Sequence, residues 1–299
     1  MSLRSEVVRL GVRWFIKRRR RPTVAAARQD IIAAARWIPR PPAGTEVAAI
    51  NAGGVPGELV ATPASRPDRH VLFLHGGGYV TGSPALYRNF TSRIATAARA
   101  RVVAIDYRLA PEHPFPAALD DALAACRWLL AGVADPQRTA ILGDSAGGGL
   151  ALALLLKLRD IGLELPAVAV ALSPWTNLAL TGASFSLNIK SDPMLNAADA
   201  RLFAGCYLAG ADPRNPYASP LYGDPAGLPP TLIHVGSDEI LHDDAVQMAE
   251  NLQAAGCRVE IEVWPRMPHV WHLFAPALPE AGQAIERIGS FADRVFPST

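Results

Sequence analysis

The sequence TAILGDSAGGGLALALLLKL, residues 139–158, joins two apolar runs through a glycine-rich turn. The first run has the length of a buried strand, and the second, from Ala146, has the length of a buried helix. Lys157 lies within the second run, which is too short to cross a membrane. A strand that passes through a tight turn directly into a helix is typical of a parallel sheet covered by helices.

The turn itself, GDSAG at residues 143–147, fits the pattern GxSxG. By chance that pattern occurs about 0.1 times in a chain of this length, so the pattern alone is weak. The flanking strand and helix strengthen it, because they are the context of a nucleophile elbow. We therefore predict that Ser145 adopts a strained backbone conformation that lifts its Oγ to the top of the sheet.

Apolar strands and helical stretches alternate on both sides of this unit. The strands are HVLFL, RVVAI, TAIL, AVAVAL, PTLIHV and RVEIEV, preceded by an antiparallel pair, TEVAAI and GELVATP. This order predicts an α/β fold, with a mostly parallel sheet and helices on both faces.

Two segments fall outside the alternation. Residues 1–44 read as helices that end at the breaker PRPPAG, and residues 176–228 offer helices but no strand. The insertion enters at the sheet edge where ligands bind, so both segments are expected to form a cap. The core of the fold is then residues 45–175 and 229–299.

The first helix carries one apolar stripe, at Leu3, Val7, Leu10 and Trp14, followed by a basic run from Lys17 to Arg21. The run is interpreted as the solvated end of a cap helix. The alternative is an arm that binds a surface or a nucleic acid.

The 299 residues are half hydrophobic and carry a formal net charge of +2, which is too small to indicate a nucleic-acid partner. The three cysteines have neither disulfide nor metal-site spacing, so we expect no metal and a cytoplasmic location. No apolar run reaches about 18 residues, and stable membrane insertion is not expected.

A nucleophilic serine needs a base and an acid. In the α/β-hydrolase arrangement, to which a nucleophile elbow belongs, they follow the serine in the chain order Ser, Asp or Glu, His. That order selects His269 or His272, and His269 is favoured because it stands in the loop after the last strand. Asp238, just past the strand PTLIHVG, is the favoured acid, and Glu239 is the rival.

With these residues in place, nearly the whole chain resembles the bacterial hormone-sensitive-lipase-like esterases. The resemblance rests on HGGGYV, DYRLAPEHPFPAALDD, GDSAGGGLA, SPWTNL, GSDEIL and MPHVWH. It implies an eight-stranded α/β-hydrolase fold with a helical cap and no cofactor. It also implies oxyanion donors at Gly77, Gly78 and Ala146, and homodimers that often form through the last strand.

The implied function is a serine carboxylesterase that acts on short- to medium-chain esters through an acyl-enzyme. The alternatives are a lactone or N-acetyl hydrolase with the same triad, or a ligand-binding relative without activity. Supporting roles are expected for His75, Gly76, Asp144 and Glu112, the last within a buried hydrogen-bond network beneath the glycine loop. The candidate pocket residues are Tyr79, Trp175, Phe185, Leu187, Phe203, Tyr207, Ile240 and Val270.

Overall fold

The computed structural model describes residues 2–17, 23–132 and 134–297. Within these ranges the strands are β1 Glu46–Ala52, β2 Val55–Ala61, β3 His70–Leu74, β4 Arg101–Ile105, β5 Thr139–Asp144, β6 Val168–Leu172, β7 Thr231–Gly236 and β8 Val259–Trp264. The α-helices there are α1 Leu3–Val12, α2 Val24–Ala35, α3 Pro84–Ala97, α4 Ala117–Gly132, α5 Ala146–Asp160, α6 Ser184–Leu187, α7 Ala197–Leu208, α8 His242–Ala254 and α9 Pro279–Val295.

The strands form one eight-stranded sheet in the order β1-β2-β4-β3-β5-β6-β7-β8. The β1–β2 and β2–β4 pairs are antiparallel, and every other pair is parallel. The predicted fold class is therefore confirmed.

Helices cover both faces of the sheet because its central strands are apolar on both faces. In β3, Leu72 and Leu74 pack into the core cluster that includes α4, α5 and α8. Val71 and Phe73 pack into the cluster on the other face, with α3 and α9. This two-residue alternation fixes which face each strand residue covers.

The strand register brings four loops to one edge of the sheet. Leu74, at the end of β3, pairs with Gly143 of β5, and Asp144 pairs with Leu172 of β6. Leu172 in turn pairs with His234 of β7. Because these strands are parallel, the segments that follow them all leave the sheet side by side.

The apolar stripe of the first helix faces outward. Val7, Leu10 and Trp14 are 60% exposed or more, whereas Ser5 and Val12 are buried. The structure does not describe the side chain of Leu3, nor residues Arg18 to Arg21 of the predicted basic run. No helix in the described ranges has both the length and the apolar character needed to span a membrane.

Candidate active site

Ser145 stands at the sharp turn between β5 and α5. Its backbone has φ 53° and ψ −121°, a conformation that non-glycine residues rarely adopt. A Cβ at Gly147 would lie 2.0 Å from the carbonyl oxygen of Leu74, so only glycine lets the turn approach β3 this closely. The Ser145 N–H donates to Leu172 O at 2.8 Å, which fixes the turn against the end of β6. The geometry is that of the predicted elbow.

The glycine loop that follows β3 is held against this elbow by Asp144. Its carboxylate is buried and accepts from the Gly76 N–H at 2.8 Å and from the Tyr87 hydroxyl at 3.0 Å. Burial raises the pKa of Asp144 to about 6. Gly77, with φ +121°, has no room for a side chain, because a Cβ there would lie 2.2 Å from Thr81 O.

His75 supports the loop from below. Its ring stacks on Tyr107 with centroids 4.2 Å apart, and the Tyr107 hydroxyl donates to His75 O at 2.6 Å. Burial lowers the pKa of His75 to about 4, so the ring is neutral at pH 7. Its Nδ1 lies 2.8 Å from Gly76 O and donates to it.

His269 contacts Glu239, and not the favoured Asp238. The Nδ1 of His269 lies 2.6 Å from Glu239 Oε2, and both side chains are buried. Asp238 instead forms an ion pair with Arg9 of α1, at 2.6 Å, on the partly exposed side of the same turn. The prediction for Asp238 is therefore wrong, because adjacent residues in the turn after β7 point in opposite directions.

The second oxygen of Glu239 anchors the acid loop. Its Oε1 accepts from the Gly236 N–H at 2.6 Å and from the Ser173 hydroxyl at 2.7 Å. Ser173 also accepts from the Val270 N–H at 3.2 Å, so it joins the loops that carry the acid and the histidine. Sequence reasoning did not single out Ser173, although it lies in the quoted motif SPWTNL.

The electrostatic surroundings of His269 favour its protonated form. Burial opposes protonation, but the charge and hydrogen bond of Glu239 outweigh it and raise the pKa of His269. The more distant carboxylates of Asp192 and Asp144 act in the same direction. A histidine held in this way can take up a proton during a reaction.

The insertion contributes a buried carboxylate, Asp192, beside the acid loop. Its Oδ2 accepts from the Ile240 N–H at 2.9 Å, next to Glu239. Its Oδ1 accepts from the N–H groups of Met194 and Leu195, both at 2.8 Å. The insertion and the acid loop therefore share one set of hydrogen bonds.

The rival histidine, His272, has a different environment. It is fully buried, and its Nε2 lies 3.0 Å from Nδ1 of His234. Burial lowers the pKa of His272 well below its ordinary value, with further lowering by His234 and His269. The pair forms part of an aromatic cluster with Trp264 and Trp271.

Most of the predicted pocket residues are buried around these loops. Tyr79 stacks on Tyr207 with centroids 3.8 Å apart, and Trp175 lies beside Tyr79. The Phe203 ring packs so closely over the glycine loop that a Cβ at Gly78 would lie 2.5 Å from it. Phe185, Ile240 and Val270 are also buried. Phe203 is partly buried, whereas Leu187 is 78% exposed and lies at the outer surface.

The expected buried network around Glu112 is also wrong. The Glu112 carboxylate lies at the surface and accepts two bonds from Arg28 of α2, at 2.7 and 2.6 Å. That hydrogen bonding lowers the pKa of Glu112 to about 2. Asp106 and His113 are exposed as well, whereas Asp121 is buried and pairs with Arg108. From this stretch, Tyr107 supports the glycine loop.

Among the described residues, no cluster of His, Cys, Asp and Glu side chains could hold a metal ion.

Comparison with known proteins identifies the family of the chain. A family model of the α/β-hydrolase fold matches residues 71–273. An acetyl-hydrolase from Streptomyces hygroscopicus is 49% identical over 250 residues, which cover 81% of this chain and 84% of the relative. An esterase from Acinetobacter venetianus is 35% identical over 258 residues, covering 86% and 84%.

The structures agree over a still larger share of the chain. A crystal structure of an esterase from the bacterial hormone-sensitive lipase family is 45% identical, covers 99% of both chains and superposes with a TM-score of 0.94. The chain therefore belongs to the α/β-hydrolase family. Within it, the chain is a member of the bacterial hormone-sensitive-lipase-like esterases.

Proposed function

We propose that this protein is a serine carboxylesterase that hydrolyses short- to medium-chain acyl esters through an acyl-enzyme on Ser145. The observation that carries the proposal is the elbow conformation of Ser145 at the same sheet edge as the buried His269–Glu239 pair. The resemblance to named esterases supports the same reaction class.

His269 acts as the general base. Because Nδ1 faces the Glu239 carboxylate, that nitrogen carries the proton and Nε2 is the nitrogen that accepts one from Ser145. Glu239 holds this tautomer and stabilises the imidazolium that forms. His269 then returns the proton to the departing alcohol, which leaves the acyl group on Ser145. A water molecule, deprotonated by His269, attacks this acyl-enzyme, and the proton returns to Ser145 as the carboxylic acid is released.

The N–H groups of Gly77, Gly78 and Ala146 bind the oxyanion. Gly77 and Gly78 both have positive φ, so the backbone of the loop can face the elbow without side chains in between. Ala146 begins α5, where the helix dipole favours negative charge. Asp144, which precedes Ser145, fixes the glycine loop against the elbow through its hydrogen bond from the Gly76 N–H.

Two features favour a small acyl group. The Phe203 ring lies over the glycine loop, and the rings of Tyr79, in the same loop, and Tyr207 are stacked and buried. An acetyl-hydrolase among the relatives points the same way, and it keeps N-acetyl substrates as a second candidate. Residues 1–44 and 176–228 form the cap over this pocket.

The location of the protein is cytoplasmic, in keeping with its three free cysteines.

The protein dimerises through β8, which is an outer strand of the sheet with Ile261 and Val263 partly exposed. Sedimentation of the wild type and of Ile261→Lys tests the dimer.

The reaction is tested with Ser145→Ala, which we expect to lower kcat on p-nitrophenyl butyrate by 10⁴-fold or more. A fluorophosphonate label should mark the wild type and the exposed-serine control Ser186→Ala, but not Ser145→Ala. Near wild-type turnover by Ser145→Ala would disprove the mechanism.

The acyl preference is tested with a series of p-nitrophenyl esters of increasing acyl chain length. Butyrate or hexanoate should be the optimum, and a palmitate optimum would refute the chain-length proposal. Parallel assays on O-acetyl and N-acetyl substrates separate the two candidate activities.

A further inference from the structure

The helix α1 presents an apolar stripe that includes Val7 and Leu10 to solvent, whereas Ser5 and Val12 face the protein. Val7 is 64% exposed, Leu10 65% and Phe15, just beyond the helix, 67%, whereas Ser5 is 3% exposed. A helix that packs on a protein core normally turns its main apolar stripe inward. The apolar face of α1 is therefore directed toward something outside the fold.

Polar contacts fix this orientation. Arg9 donates to Asp238 at 2.6 Å and to Ser191 O at 3.1 Å. At the start of the helix, the Ser2 N–H donates to Glu280 Oε1 at 2.7 Å. Rolling the helix to bury Val7 and Leu10 would break these bonds, so the exposed stripe is a stable feature of the fold.

Basic residues flank the stripe. Arg4 and Arg13 are exposed, and residues 4–21 carry eight Lys and Arg against one Glu. Four of these eight residues, Arg18 to Arg21, are not described by the structure, and only their charge is counted here. The rest of the chain has 21 basic and 26 acidic residues, so the positive charge is concentrated at this end.

The exposed apolar surface continues onto the insertion. The Lys17 ammonium donates to the carbonyl oxygens of Ile189 and Asp192, so the segment with the exposed Leu187 and Ile189 lies beside the helical turn that follows α1. Asp192 also binds the acid loop through Ile240. A surface in contact with α1 would therefore lie close to the cap segments that border the catalytic loops.

We infer that α1 is a membrane-surface helix, whose apolar stripe and flanking arginines bind an anionic phospholipid surface. Apolar and aromatic side chains between cationic ones are what an interfacial helix uses. Binding is peripheral, because the ten residues of α1 are too few to span a bilayer. Such docking would bring the cap to lipid esters, but the binding itself does not depend on the proposed catalytic residues.

The test is sedimentation of the full-length protein with vesicles of phosphatidylcholine alone or with 30% phosphatidylglycerol. We expect binding to the anionic vesicles that weakens as salt is raised, and much weaker binding to the neutral ones. Arg4→Gln with Arg13→Gln should lower the partition coefficient on anionic vesicles by about fivefold per arginine.

Removal of the stripe is tested separately. Val7→Gln with Leu10→Gln should lower the partition coefficient by about tenfold or more. Ile161→Gln with Leu163→Gln is the matched control, because these partly exposed apolar residues lie at the far end of α5. Thermal unfolding checks that each variant folds, and hydrolysis of a water-soluble butyrate ester should be unchanged in all of them.

Several results would overturn the inference. The wild type could fail to sediment with anionic vesicles, or it could bind both compositions equally and independently of salt. The stripe variant could bind as the wild type does, or the control could lose as much binding. A wild-type dimer that Val7→Gln with Leu10→Gln splits, without vesicle binding, would show that a second copy of the chain covers α1.

Discussion

Replacing Glu239 with glutamine is expected to lower kcat on p-nitrophenyl butyrate about 10⁴-fold while the protein stays folded. In the wild type, Oε1 accepts from Gly236 N–H and Ser173 Oγ at 2.6 and 2.7 Å. Two donors at this position hold the amide oxygen of glutamine there, and the amide nitrogen must then replace Oε2 opposite His269. The Nδ1 of His269 would have to accept a hydrogen bond, which moves its own proton to Nε2.

A proton on Nε2 prevents His269 from acting as a base toward Ser145. In a serine protease of unrelated fold with the same kind of triad, loss of the correct tautomer lowers kcat about 10⁴-fold, or about 5 kcal/mol of transition-state stabilisation. The matched control is Asp238→Asn, the same chemical change one residue away, in a partly exposed ion pair with Arg9. Because the Asp238 carboxylate bonds to Arg9 and to the Ser237 hydroxyl and not to His269, kcat of the control should change by less than about tenfold.

The assay is steady-state hydrolysis with thermal unfolding of both variants measured in parallel. If Asp238→Asn lost 10³-fold or more while Glu239→Gln kept activity within tenfold, the assignment of the acid would be refuted.

Two further predictions concern the same site. Because Glu239 raises the pKa of His269 against the effect of burial, activity should be lost as the pH falls through that raised pKa. The acidic midpoint of kcat/KM should therefore lie above the ordinary imidazole value of about 6.5, and a midpoint below 6 would contradict this reasoning. Asp144→Ala should lower the free energy of unfolding by about 2–6 kcal/mol, since it strands two buried donors, Gly76 N–H and Tyr87 OH. Urea denaturation measures the loss, and a change no larger than that of the surface-pair control Glu112→Ala would count against it.

Most of the fold was predictable because the signals that define it are local. The length of each apolar run and the glycines of the turns indicate the succession of strands and helices along the chain around Ser145. The elbow followed from a five-residue pattern in its context, and the chain order of the hydrolase site narrowed the base to His269 or His272.

The acid could not be chosen in the same way. Asp238 and Glu239 are adjacent, both are carboxylates, and both follow the same strand. Which one turns inward depends on the backbone path after Gly236 and on the donors offered by Ser173 and Gly236 itself. Ser173 directly follows β6 and Gly236 ends β7, and these two strands become neighbours only when the sheet forms.

The charged stretch after β4 illustrates the same limit. Its acids and its histidine suggested a buried network, yet Glu112 pairs with Arg28 at the surface because α2 packs there. The exposure of the apolar stripe of α1 could not be predicted either, because an apolar stripe in a sequence does not show whether it faces the core or solvent. The sequence by itself indicated the mostly parallel sheet, the elbow at Ser145 and the reaction class, since each depends on short-range pattern. The tertiary structure decided which carboxylate contacts His269, what supports the glycine loop and which face of α1 is exposed, because each depends on contacts between segments far apart in the chain.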